Sequence, residues 1–274
     1  AAAESIDKLV TLEMRVQGLP SGVMNRLNVA ATEALGEIPV LAAAQALLAD
    51  VEEGDTVVIV TGAGGPPWLP HGETDGPQGA VGLAHGLALA ANAKPILVTE
   101  ERSIAPLRAA ARACGLNVVP FDQLQERDHA VTVVPYTEEA ADAQSAAENF
   151  LETYEPTALL AVEKIGPNRE EVIHSITGHD FTEDHAKMGP LFDLATEAGV
   201  LTIGIGDGGN EIGFGKIEDA VREIQPYGDT CQCPCQLGVA TRIACDYVVV
   251  GGTSNWGAYG IEALLALLTE TPEA

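Results

Sequence analysis

Seven short runs rich in aliphatic and β-branched residues recur along the chain, at 56–61, 95–99, 116–119, 130–135, 157–162, 200–205 and 246–250. Each is nearly continuous in apolar character, as in Thr56-Val-Val-Ile-Val-Thr61, where a strand with one wet face would alternate with polar residues. Strands buried on both faces need helices above and below them, and parallel pairing needs a long crossover between strands. Helix-length segments at 77–92, 103–114, 137–153, 187–198, 216–224 and 256–268 supply those crossovers. The expected fold is therefore α/β, a mostly parallel sheet with helices on both faces. Helical periodicity at 4–18 and 38–53 precedes the first strand and predicts an N-terminal helical layer. With 274 residues, 46% of them apolar, the chain has enough material for one α/β domain, with 1–53 as the layer and 54–274 as the sheet core.

The net charge is −26, from 26 Glu and 14 Asp against 9 Arg and 5 Lys. The acids are dispersed, with no concentrated block that a basic partner would require. A dispersed acidic surface with few lysines points to a halophilic protein, in which salt screens the self-repulsion. Nucleic acid is excluded as a partner because phosphate backbones need a basic footprint. The longest apolar stretch, residues 80–93, is broken by Gly82, His85, Gly86 and Asn92, short of the ~20 residues of a membrane span. No membrane partner is expected. The absence of a signal-peptide pattern and an odd count of five cysteines point to the cytoplasm.

Three loops following strands carry the chemistry-bearing residues, and in open parallel sheets ligands sit beyond the carboxyl ends of strands. The first runs through residues 61–80 and brings Glu73 and Asp75. Asp75 also reads as an N-cap before Pro77, whereas Glu73 has no such structural role and is expected to be a metal ligand or a base. The second starts at Glu163-Lys164 and includes Asn168, Arg169, His174, His179, His185 and Lys187. Six basic or imidazole groups within residues 164–187 predict a pocket for a small anionic metabolite. The competing reading is ion pairing with Glu163, Glu170, Glu171, Glu183 and Asp184, and His185 is expected to be solvated. The third, residues 206–215, packs five glycines with Asp207, Asn210 and Glu211.

That third loop contains a literal dinucleotide fingerprint, Gly204-x-Gly206-x-x-Gly209. Asp207 would repel a pyrophosphate, and no strand-ending acid follows about 20 residues later, which argues against a nucleotide. Hard oxygen ligands from Glu73, Asp75, Asp207, Asn210 and Glu211 instead suit a divalent metal, Mg²⁺ or Mn²⁺. Ser254 and Asn255, after the last strand, read either as helix caps or as an N–H cluster for a carboxylate. Cys231-x-Cys233-Pro-Cys235 is compatible with zinc but is tighter than the usual spacing, and the neighbouring candidate for a fourth ligand is Cys245. A packed, redox-sensitive loop is the preferred reading there.

Together GETDGPQGA (72–80), AVEKIGPN (161–168), HSITGHDFTE (174–183), GIGDGGNEIGFG (204–215) and VVGGTSNWGAYGIEALL (249–265) resemble the C-terminal domain family of D-glutamate cyclases, in a stand-alone haloarchaeal-type form. The resemblance covers roughly residues 5–270. It implies a hydro-lyase that converts D-glutamate to 5-oxo-D-proline and water. For that reaction the loop chemistry assigns a cation to Glu73, Asp207 and Glu211 and the base to Glu163. His174 or His179 would protonate the departing oxygen, and Lys164, Asn168, Arg169, Ser254 or Asn255 would hold the substrate carboxylate. A metal-dependent phosphatase acting on a phosphate ester and a non-catalytic metal-dependent binding protein are the alternatives. A homo-oligomer is compatible with all three.

Overall fold

The structure, a computed structural model, describes residues 1–13, 21–67 and 69–274. In chain order the elements are α1 (Ala2–Val10), α2 (Val23–Leu35), α3 (Pro39–Asp50), β1 (Thr56–Thr61), α4 (Pro77–Ala90), β2 (Lys94–Thr99), α5 (Ile104–Ala113) and β3 (Asn117–Val118). They continue with α6 (Phe121–Leu124), β4 (Ala130–Pro135), α7 (Ala143–Tyr154), β5 (Ala158–Val162), α8 (Gly189–Glu197), β6 (Leu201–Gly206), α9 (Glu218–Ile224), β7 (Tyr247–Val250) and α10 (Ser254–Thr269). The strands form one parallel sheet in the order β3-β4-β2-β1-β5-β6-β7. All seven expected strands are present.

Because successive side chains of a strand point to opposite faces, each apolar run feeds two cores. Val57 and Ile59 of β1 pack with α3, α4, α5 and α10, whereas Val58 and Val60 face α7 and α8. Beside β7, Val248 and Val250 meet Leu27 and Ala31 of α2 and Val221 of α9. The N-terminal helices thus straddle the β7 edge, with α1 and α3 on one face and α2 on the other.

Helix α2 was not anticipated. Its buried stripe is short, Val23, Met24, Leu27 and Ala31, and it is bounded by Gly22 and Gly36, both left-handed. Residues 14–18 of the helix expected at 4–18 lie outside the described residues. The helix expected from residue 137 begins at Ala143, after a 3₁₀ turn at Ala140–Asp142. Among the described residues no single helix is long and apolar enough to cross a membrane.

Candidate active site

From β1 the chain crosses first to β2, then to the edge strand β3 and back to β4, and it passes from there to β5 on the other side of β1. This reversal opens a crevice beyond the carboxyl ends of β1 and β5, the usual ligand position in such sheets. A cavity of about 530 Å³ lies there. Its walls come from the loop after β1 (Glu73, Thr74, Asp75), from Glu163 after β5, from Asp207, Asn210 and Glu211 after β6, and from Gly252, Thr253 and Asn255 after β7. Ser175, Ile176, Thr177 and Phe181 close the remaining side. The described residues lining it include no lysine, arginine or histidine.

Asp75, Glu163 and Asp207 each place a carboxylate oxygen within 4.8 Å of the others. Glu163 is buried and left-handed, with φ 49°, a conformation that L-residues adopt at a cost of about 1–2 kcal/mol. It is held by its N–H donating to the Ile205 carbonyl at 3.1 Å and by the Ser254 hydroxyl, which donates to its carboxylate. Gly76 has to be glycine. Its φ is +94°, and a Cβ there would stand 2.6 Å from Glu163 Cβ. Burial, then the charges of Asp207, Glu211, Glu73 and Asp75, raise the Glu163 carboxyl well above its ordinary range.

Asp75 does not cap the helix that follows it in sequence. Its carboxylate accepts from the backbone N–H groups of Ser254 at 3.0 Å and Asn255 at 2.8 Å, at the start of α10. Asn255 returns the contact, its Oδ1 accepting from the N–H groups of Gly76 at 3.0 Å and Gly79 at 2.6 Å, at the start of α4. The two helices, neighbours on one face of the sheet, therefore exchange caps, and both positive dipole ends face the carboxylates. Thr253 is the N-cap of α10, its Oγ1 accepting from the Trp256 N–H at 3.4 Å. The expected capping role falls on neither Ser254 nor Asn255 within α10 itself.

The glycine-rich loop after β6 encloses its own anion. Glu211 is buried, and its carboxylate accepts from the backbone N–H groups of Asp207 at 3.3 Å, Gly208 at 2.8 Å and Gly209 at 2.6 Å. A Cβ on Gly206 would sit 2.6 Å from Glu211 Oε2, so the glycine makes room for this carboxylate. The N–H groups that a dinucleotide would need are already engaged. Asn210, buried, donates from Nδ2 to the His174 carbonyl at 2.8 Å.

The basic pocket expected around residues 164–187 does not form. Lys164 is fully buried and donates to the Glu100 carboxylate and, at 3.1 Å, to the Gly62 carbonyl. Burial alone would raise the Glu100 carboxyl, but the Lys164 ammonium, His185 and the Ala186 N–H bring it down to about 2. Arg169 is exposed and pairs with Glu218 at 2.9 Å, and His179 is exposed. Asn168 is buried in a turn, its Oδ1 accepting from the N–H groups of Glu170 and Val172. Ion pairing absorbs Lys164 and Arg169, as the competing reading held, but with Glu100 and Glu218 as partners, while Lys187 donates to the Thr182 and His185 carbonyls. His185 is buried and not solvated, and its imidazole is pushed down to about 4 by burial and by Lys164.

His174 is likewise absent from the cavity wall. Its Nε2 lies 3.2 Å from Cys233 Sγ and 3.5 Å from Cys235 Sγ. Ser254, expected to hold a substrate, touches Glu163 instead. Two residues escaped the sequence reading altogether: Glu100, which follows β2 without any motif around it, and Gly76, hidden inside what read as a simple cap.

A family model described as D-glutamate cyclase-like, C-terminal, matches residues 23–274. The chain belongs to this family. Human mitochondrial D-glutamate cyclase is 28% identical over 206 residues, covering 73% of the chain and 30% of the human protein. The chain therefore spans less than a third of that relative's length. Two solved structures show slight likeness at 13% identity. A short-chain dehydrogenase/reductase from Mycobacterium ulcerans has a TM-score of 0.30 (57% of this chain, 52% of that one), and an O-ureido-L-serine synthase mutant has 0.22 (90% and 76%). Neither likeness carries structural or functional weight. Within this D-glutamate cyclase-like domain, all five sequence blocks quoted above contribute residues to the one cavity.

Proposed function

We propose that the domain is a hydro-lyase of the D-glutamate cyclase type, converting D-glutamate to 5-oxo-D-proline and water in this cavity. The observation that carries the reading is the convergence of the five blocks on the carboxylate triad of buried Glu163 and half-buried Asp75 and Asp207. The reaction moves two protons from the substrate nitrogen to one γ-carboxylate oxygen, which leaves as water. A cavity wall rich in carboxylates, with no basic side chain among its described residues, favours the α-ammonium and has groups to accept its protons. Glu73 lies on the wall outside the triad and carries both protons in turn, one from the ammonium before attack and one from the ring nitrogen after it, delivering each to the departing oxygen. The hydroxyl groups of Thr253, Ser175 and Thr177 are neutral donors on the cavity wall for the substrate carboxylates. Holding the chain folded brings amine and γ-carbon together, which in a five-membered ring closure supplies much of the rate.

The donor set also fits a cation. Three carboxylates this close repel one another, and the Glu163 carboxyl is raised by its burial and then by the charges around it, Asp207 and Asp75 among them. Asp75, Glu163 and Asp207 would hold Mg²⁺ or Mn²⁺, which when bound supplies Lewis-acid polarisation of the γ-carboxylate. Glu163, read from the sequence as the base, and Glu73, read as a ligand, thus exchange roles.

The test is formation of 5-oxo-D-proline from D-glutamate by the purified chain in high salt with Mg²⁺ or Mn²⁺. Turnover should fall about 10²-fold or more in Glu163→Gln and Asp207→Asn. Phosphate release from a simple phosphomonoester, with D-glutamate untouched, would replace the cyclase reading by a phosphatase. Metal uptake with neither activity would leave a binding protein.

A further inference from the structure

We propose that His174, Cys231, Cys233 and Cys235 form a structural zinc site that fastens one wall of the cavity. Their donor atoms, His174 Nε2 and the three Sγ atoms, all lie within 4.8 Å of one another. Cys231 Sγ is 3.5 Å from Cys233 Sγ and 3.4 Å from Cys235 Sγ, and the latter two are 3.2 Å apart. Tetrahedral zinc with bonds of about 2.3 Å to sulfur and 2.0–2.1 Å to nitrogen places sulfurs about 3.8 Å apart and nitrogen about 3.5 Å from sulfur. Five of the six donor pairs, at 3.2–3.5 Å, thus match or fall slightly short of that tetrahedron, and the sixth, between His174 and Cys231, is within 4.8 Å. A disulfide needs about 2.05 Å between sulfurs, and all five cysteines are free.

The surroundings are those of thiolate ligands. The Cys235 N–H faces Cys233 Sγ at 3.4 Å, and Asn168 Nδ2 faces Cys235 Sγ at 3.5 Å, so the sulfurs accept from fixed donors. Three sulfurs and an imidazole are soft ligands that select zinc over the hard cations suited to the carboxylate triad. The site also answers a structural need. Between α9 and β7 the chain runs from Gln225 to Asp246 without a helix or a strand, yet it buries Cys231, Cys233, Val239, Ala240 and Ile243. An irregular connection of that length needs a fastening that side-chain packing alone does not supply.

The fastening reaches the cavity. His174 directly precedes Ser175, Ile176 and Thr177, which line it. Gln232, between two of the cysteines, donates from its backbone N–H to the Gly178 carbonyl at 2.9 Å and from Nε2 to the Thr177 carbonyl at 2.8 Å. Asn210 ties the His174 carbonyl to the glycine-rich loop. A zinc ion would pin the 174–178 wall onto the 231–235 loop, whatever reaction the cavity performs.

The test is elemental analysis of the full chain purified without added metal, with about one zinc per chain expected. Replacement by Co²⁺ should give the thiolate charge-transfer and intense ligand-field absorption of a tetrahedral site. Cys233→Ser and His174→Ala should lose the metal, while Cys114→Ser keeps it. Should either ligand variant fail to fold, the wild-type chain still decides: a strong chelator should lower its melting temperature and make three further thiols reactive. Substoichiometric zinc, or a disulfide among Cys231, Cys233 and Cys235 in the purified chain, would overturn the proposal.

Discussion

Replacing Glu163 by glutamine isolates the electrostatics of the cavity, because the amide keeps the shape and still accepts from the Ser254 hydroxyl. At a separation of 4.8 Å and an effective dielectric of about 20, each ionised pair within the triad costs about 3 kcal/mol. Protonation of Glu163 limits that cost, since the group neutralises before it bears the repulsion of both neighbours. Its folded-state carboxyl titrates above the unfolded value near 4.5. Its contribution to stability is therefore full below that value and is lost as pH rises through the folded one. With a chelator present, the wild-type chain should lose stability toward alkaline pH, and Glu163→Gln should lack that part of the slope. At pH 8 the variant should be more stable by about 3 kcal/mol, the cost of one such pair, or roughly 6–12 °C in melting temperature for a chain of this size. Mg²⁺ or Mn²⁺ at about 100 times its dissociation constant should add about 2.7 kcal/mol to the wild type and less to the variant. Urea unfolding between pH 5 and 9, with and without the cation, measures all of this. A variant no more stable than wild type at pH 8 in chelator, with the same pH slope, would refute the reasoning.

Lys164→Met leaves the Glu100 carboxylate buried and unpaired and should destabilise the chain by about 3–5 kcal/mol in urea unfolding, whereas Lys164→Met with Glu100→Met should recover most of the loss. Gly76→Ala forces a Cβ against Glu163 and should cost about 1–3 kcal/mol while also lowering D-glutamate turnover. Arg169→Ala, at an exposed ion pair away from the cavity, should leave melting temperature and turnover at wild-type levels, in contrast to the triad variants.

The sheet was legible because its strands are buried on both faces, so the runs at 56–61 and 200–205 carry nearly unbroken apolar character. The acidic wall was legible for a related reason. Once the strands are parallel, Glu73, Asp75, Glu163 and Asp207 must all emerge at the same end of the sheet. What local spacing does not encode is which charge meets which. Lys164 finds Glu100 across 64 residues, and His174 finds Cys233 across 59. Both encounters depend on which connections share a side of the crevice. Basic residues counted along the chain thus suggested an anion pocket that the fold spends on buried and surface ion pairs. The reciprocal caps of Asp75 and Asn255 were hidden likewise, since the partners are about 180 residues apart in sequence.

The carboxylate of Glu211 behaves as a tethered ligand of its own loop. Linked to the chain two to four residues from the N–H groups that bind it, it is present at an effective concentration that no dissolved phosphate approaches. A glycine-rich turn with a nucleotide-like spelling is thereby self-occupied, its N–H groups engaged by a side chain of the same loop. Shortening that side chain is the change by which such a loop would acquire an exchangeable anion.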